Sequence, residues 1–331
     1  MSKARVSGQR IYFAVVLTGS CLLAGYLAWP EALGLLRREA QAGPRRRLDD
    51  IPFDGQQAFD DLRRLCDLGP RYSGSEGMER QQELLAEHFE ACGAEVERQA
   101  FRVRHPLNGK AVPMTNLIAH WHPERKERIL LCAHYDTRPF PDKDLRRPKG
   151  TFVGANDGAS GTALLMQLAR GLGDLEGKLG VDIVLFDGEE LVFGNVGEYF
   201  QGSTHFAREY VADGSQPRYR WAVLLDMIGD GDLQIKQEIN SMSWRDTRPL
   251  VESIWATAKR LGVREFIARR GHEVSDDHLP LHDIAKIPAC DIIDLDYPHW
   301  HTEGDTPEHC SALSLAKVGW VLQEWLASAV Q

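Results

Sequence analysis

The stretch Val181-Asp-Ile-Val-Leu-Phe-Asp-Gly-Glu-Glu190 sets the reading of this chain. Its apolar run, rich in β-branched residues, predicts a buried strand. The run ends on a glycine followed by two adjacent carboxylates, Glu189 and Glu190. The carboxyl ends of strands in α/β sheets are where ligands and catalytic groups collect. Two neighbouring glutamates there can divide labour, one binding a metal and one moving protons. Glu-Glu is also a common solvated dipeptide, so the other strand ends carry the argument.

Upstream, strand-like runs fall at 95–103, 114–120 and 128–133, and the third leads into His134-Tyr-Asp136. Downstream, 220–225 is a buried run ending at Asp226, and 287–293 leads to Tyr297-Pro-His-Trp-His301. Helical patterns lie between them. Residues 59–68 place Phe59, Leu62, Leu65 and Cys66 on one face. Ser73 and Glu76 have the spacing of a capping box for a helix reaching Cys92, with Gly93 as its stop. Gly154-Ala-Asn-Asp157-Gly-Ala-Ser-Gly161 opens an apolar helix over 159–172. A helix carrying Val251, Ile254, Trp255, Ala258 and Leu261 stops at Gly262, and 313–326 closes the chain. Strands alternating with helices predict an α/β fold with a mixed, mostly parallel central sheet flanked by helices. The antiparallel-looking pair over 95–120 makes the sheet mixed.

Just past these strand ends stand His134, Asp136, Glu189, Glu190, Asp226 and His301, with Asp157 at a helix start. Imidazole nitrogens and carboxylate oxygens without thiolates are the ligand set of a catalytic zinc site. Each residue has a plainer role open to it: Asp157 as a helix cap, Asp226 in a turn, His301 as an ordinary histidine. So many such groups at one edge of one sheet are harder to dismiss.

Over its 331 residues the chain is 43% hydrophobic and 26% charged, an ordinary globular composition. Its formal charge of −9 is uneven: residues 1–47 carry eight Lys/Arg and two Glu, net +6, which leaves −15 on the remainder. So acidic a main domain argues against nucleic acid as a partner. The basic tail 1–10 precedes residues 11–29, nineteen in a row without a charge. That length spans a bilayer and is long for the core of a cleaved signal peptide, which is the runner-up reading. The expected organisation is a single-pass membrane protein: a transmembrane helix over 11–29, a linker over 30–50, and a catalytic domain over 51–331 facing outward. The six cysteines include no CxxC pair, so neither a disulfide framework nor a cysteine zinc site is expected.

The series His134-Tyr-Asp136, Gly154-Ala-Asn-Asp157-Gly-Ala, Phe186-Asp-Gly-Glu189-Glu190, Leu225-Asp226-Met-Ile-Gly and Trp300-His301-Thr resembles the clan of zinc aminopeptidases and animal-type glutaminyl cyclases. Ser275-Asp-Asp277-His278-Leu-Pro, the tryptophan before His301, Gly202-Ser203 and the loop 134–154 make it most similar to the cyclases, bacterial members included. The resemblance covers about residues 55–331. It implies a zinc aminopeptidase-like fold and one zinc held by Asp157, Glu190 and His301. It also implies that N-terminal Gln of peptides or proteins is converted to pyroglutamate with release of ammonia. Glu189 would carry the proton, while Asp277 and Asp226 orient the reacting nitrogens. Asp291 would join that network, and Trp300 and Tyr297 would line the glutamine pocket. The aminopeptidase alternative implies two zinc ions, with His134 and Asp226 completing the second position. Residues 191–201 lack the tryptophan that animal-type cyclases carry after the equivalent of Glu190. A metal-free binding ectodomain is the remote third reading, and such a domain should have lost ligands that this chain retains.

Overall fold

The computed structural model describes residues 46–331 except 215–216. The expected basic tail and transmembrane segment, and the linker up to residue 45, lie outside the described residues. Among those described, no helix is long and apolar enough to cross a membrane. Within the span expected as linker, Leu48–Asp50 form a 3-10 turn, and Leu48 packs on the core.

The central sheet runs in the order β1-β2-β4-β3-β5-β8. Its strands are β1 (Glu95–Arg104), β2 (Ala111–Trp121), β3 (Glu127–His134), β4 (Gly180–Phe186), β5 (Arg218–Asp226) and β8 (Ala289–Ile293). β1–β2 and β2–β4 pair antiparallel, whereas β4–β3, β3–β5 and β5–β8 pair parallel. The four parallel strands therefore send their carboxyl ends to one edge, where His134, Asp226 and the segment after Phe186 emerge.

Strand side chains alternate between two apolar layers, as a period of two requires. Ile129, Leu131, Ala133, Ile183, Leu185, Val223 and Leu225 face one layer; Leu130, Cys132, Val184, Phe186, Ala222 and Leu224 face the other. The first layer is covered by α1 (Gly55–Cys66), α2 (Glu76–Ala91), α3 (Ala159–Ala169), α6 (Arg248–Leu261) and α8 (Ala312–Ala329). The second is covered by α4 (Gln201–Ala212) and α7 (His278–Asp283). A sheet covered on both faces explains why every residue of β4 is buried.

Local chemistry sets the helix ends. Asp54 caps α1 by accepting the Gln57 N–H, and Ser311 caps α8. α6 stops at Gly262, whose φ of 72° is left-handed. One expected cap is corrected. Ser75, not Ser73, accepts the Met78 N–H at the start of α2, while the Ser73 hydroxyl donates to Asp187 at 2.7 Å. A small parallel pair, β6 (Ile235–Gln237) with β7 (Phe266–Arg270), has no counterpart in the sequence reading; a three-residue strand is too short to show a period. A short helix, α5 (Ile239–Ser243), follows β6. The cysteines at 66, 92, 132, 290 and 310 are all free.

Candidate metal centre and its cavity

The loop after β3 builds one wall of the site. Asp136 is fully buried, and its carboxylate accepts the backbone N–H of Glu189 at 3.1 Å and of Glu190 at 3.0 Å. The turn after β4 that carries both glutamates is thus pinned to the neighbouring strand. Gly188 enables that turn with a φ of 78°, and a Cβ there would meet the Met114 side chain at 2.6 Å. Gly158 plays a similar part before α3. Its φ is 92°, and a Cβ would lie 2.7 Å from the Asp136 carbonyl and 3.2 Å from the His134 ring.

Asp157 is positioned from several sides. Asp305 accepts the backbone N–H groups of Asn156 (2.8 Å) and Asp157 (3.1 Å), and also takes the Tyr297 hydroxyl proton at 2.9 Å. The Asn156 side chain accepts the Gly229 N–H at 2.7 Å, and Ser160 accepts that of Ile228 at 3.1 Å. These bonds tie the start of α3 to the turn after Asp226. Met227 and His301 sit at φ values of 46° and 56°. Non-glycine residues held there each cost on the order of 1–3 kcal/mol, a strain found where function requires it.

His134 Nε2 lies 3.2 Å from Asp157 Oδ1 and 3.3 Å from Asp226 Oδ1. His301 Nε2 lies 2.9 Å from Glu190 Oε1 and 3.4 Å from Asp157 Oδ2. Each imidazole has a carboxylate behind its other nitrogen: Asp136 is 3.7 Å from His134 Nδ1, and Asp142 is 3.5 Å from His301 Nδ1. Carboxylates at this position orient metal-bound histidines when the ring N–H donates to them; here both Nδ1 atoms are buried without a hydrogen-bond partner. Donor atoms of His134, Asp157 and Glu190 fall within 4.8 Å of one another. Asp157 Oδ2 and Glu190 Oε2 are buried without a hydrogen-bond partner. Buried carboxylate oxygens left unpaired, among imidazole nitrogens and without thiolates, fit a divalent cation of the zinc type.

The electrostatics agree. Burial alone would depress His134 and His301, but the carboxylates around them overcome it. Asp136, Asp157 and Asp226 raise His134 well above its usual range, and Glu190, Asp142 and Asp157 bring His301 to about 9. The surrounding carboxylates thus favour positive charge at this point. Burial, with the Glu190 charge behind it, pushes Glu189 well above the carboxylate range. Burial and the charges of Asp226 and Asp277 do the same to Asp276.

A cavity of about 380 Å³ opens over these groups. His134, Asp157, Glu189, Glu190, Asp226 and His301 line it, and Trp300, Tyr199 and Leu295 contribute apolar wall. Three expected residues are not at this wall. Asp277 is fully buried and accepts the Ser203 hydroxyl proton; its neighbour Asp276 is the residue facing the cavity. Tyr297 lies in an apolar cluster with Met227, Val274 and Ile293, and its hydroxyl serves Asp305 rather than a pocket. Asp291 is buried behind the cavity, where burial and the charges of Asp276 and Asp226 push it well up. Sequence reasoning missed Arg138, Asp142, Asp276 and Asp305. The doubled acid at 276–277 was visible, but two adjacent side chains point apart and the sequence does not say which faces the site. Arg138 and Asp142 lie in the loop 134–154, whose likeness to the cyclases gives no role to either residue.

The peptidase family M28 matches residues 116–326. Among solved structures, the glutaminyl cyclase of Fimbriiglobus ruber superposes with a TM-score of 0.80 at 42% identity, covering 85% of this chain and 96% of that one. A Zn-dependent exopeptidase from Parabacteroides distasonis gives 0.76 at 28% identity, covering 83% and 98%. The glutaminyl-peptide cyclotransferase of Drosophila melanogaster is 28% identical over 261 residues, 72% of this chain and 71% of its own. With the family matched across well over half of its length, this chain belongs to peptidase family M28, and within it is similar to the glutaminyl cyclases.

Proposed function

We propose that the chain is a zinc-dependent glutaminyl-peptide cyclotransferase acting on peptides or proteins with N-terminal Gln. One zinc ion would be held by Asp157, Glu190 and His301; when bound, it supplies Lewis acidity for the γ-carbonyl. The α-amine nitrogen bonds to the carbonyl carbon of the side-chain amide (Cδ) while the bond from that carbon to the amide nitrogen breaks. Glu189 takes a proton from the attacking amine and delivers it to the departing nitrogen, which leaves as ammonia. Glu189 lines the cavity next to the proposed ligand Glu190, where a proton carrier for that step is needed. Asp226 and Asp276 line the same cavity and can accept N–H groups of the reacting nitrogens. Trp300 offers an apolar wall to the glutamine methylenes.

The observation that carries the reading is Glu189 facing the cavity together with a second acid, the buried Asp276. Lactam formation needs a proton carrier and a partner for the nitrogens at once. A second reading, a two-zinc aminopeptidase, draws on His134 and Asp226 standing 3.3 Å apart beside Asp157. There Glu189 would activate water. Residues 11–29 would anchor the enzyme in a membrane with the catalytic domain outside it; their uncharged length supports this. Mass spectrometry of a Gln-starting peptide incubated with the zinc-loaded protein tests the proposal. Loss of ammonia from an otherwise intact peptide is expected, and release of its N-terminal residue would favour the aminopeptidase.

A further inference from the structure

We propose that Arg138 is a positioning residue for the metal site, fixing Glu190 directly and His301 through Asp142. The guanidinium is buried and makes a two-pronged contact with Asp142, Nε to Oδ1 and Nη2 to Oδ2, both at 2.9 Å. Its remaining terminal nitrogen, Nη1, donates to Glu190 Oε1 at 3.1 Å. Nη2 also donates to the Tyr199 hydroxyl at 3.1 Å.

The consequence lies in which atoms are left over. Glu190 Oε1 is occupied by Arg138, while Oε2 is buried without a partner. Asp142, held by both of its oxygens, stands behind His301 Nδ1 and leaves Nε2 directed at Glu190 and Asp157. One planar fork thus holds Glu190 by a hydrogen bond and keeps the Asp142 carboxylate 3.5 Å from His301 Nδ1, a buried atom with no hydrogen-bond partner. It also places a fixed positive charge between the half-buried Asp142 and the buried Glu190, so that the Glu190 carboxylate is not buried uncompensated. Lysine carries the same charge but is a point donor on a flexible stem and cannot bridge both acids in one plane.

This inference rests on the proposed metal site and not on the identity of the substrate. Its test is zinc affinity of the full chain, measured by competition with a chromogenic chelator and independent of turnover. Arg138→Lys is expected to weaken zinc binding about 10–100-fold, the usual cost of losing an outer partner of a ligand. Asp142→Asn, nearly unchanged in shape, should weaken it as well, because His301 loses the carboxylate behind Nδ1. Tyr199→Phe removes only the acceptor on the cavity side and should leave zinc affinity at the wild-type value. Circular dichroism of the zinc-free variants checks folding, and Asp142→Asn carries the test should Arg138→Lys fail to fold. Wild-type zinc affinity in a folded Arg138→Lys or Asp142→Asn variant would overturn the proposal. A wild-type chain that binds no zinc would overturn the metal site beneath it.

Discussion

Asp136 and Glu189 are joined across two parallel strands: the Asp136 carboxylate accepts the Glu189 backbone N–H at 3.1 Å, and its second oxygen takes that of Glu190 at 3.0 Å. A side chain at the end of one strand thereby fixes the turn at the end of the next. Asp136→Ala removes both acceptors and leaves N–H groups without a partner. Each such loss costs about 1–3 kcal/mol, so denaturant unfolding should show a drop of a few kcal/mol. Turnover should fall with it, because the two glutamates lose their fixed spacing.

Glu189 does not contact the proposed ligand histidines in the way Glu190 does. Glu189→Gln keeps the shape of the side chain and removes its capacity to carry a proton. We expect kcat to fall by about 10²–10⁴-fold, the range typical of a proton-transfer group. Zinc content, read by atomic absorption, should stay at the wild-type level. His301→Ala is the converse case, and zinc itself should be lost.

Asp276 and Asp277 separate by the same logic. Asp276 faces the cavity, whereas Asp277 is enclosed and bonded to Ser203. Asp276→Asn should lower kcat with little change in stability. Asp277→Asn should act mainly on stability, and thermal melting alongside steady-state kinetics separates the two.

How much of this could be read from the residues depends on what each signal was. The fold was legible because buried strands and two-sided helices leave long periodic patterns, as in the fully buried run from Val181 to Phe186. The groups at the strand ends were legible too, since His134, Asp157, Glu190, Asp226 and His301 stand at the ends of recognisable elements and do converge. Orientation was not legible. Tyr297 turns to Asp305, and Asp291 sits behind the cavity, because which way a residue faces next to a strand end depends on long-range contacts. The capping-box spacing pointed to Ser73, but the distant Asp187 claims its hydroxyl and Ser75 caps the helix instead. Asp305 acts 148 positions away from Asp157, a pairing that no local pattern announces.

The buried acids also make stability depend on pH. Burial, reinforced by the Asp136 charge, brings Asp187 to about 8 from an ordinary 3.8. The folded protein then keeps a proton that the unfolded chain releases, so stability should fall as pH rises from the ordinary carboxylate range towards 8. Asp305, raised to about 7 by burial and Asp157, acts with the same sign. Asp187→Asn should flatten this decline, as measured by thermal melts of zinc-free protein across that range. An unchanged slope would remove Asp187 as a source of it.

The most direct test titrates the zinc-free chain with zinc from none to two equivalents, using a peptide that begins with Gln. Ammonia and free amino acids are measured at each point. The account predicts ammonia release that reaches its maximum at one equivalent, with the peptide otherwise intact. Activity that appears only with the second equivalent, accompanied by free N-terminal residues, would contradict it and establish the two-zinc peptidase instead.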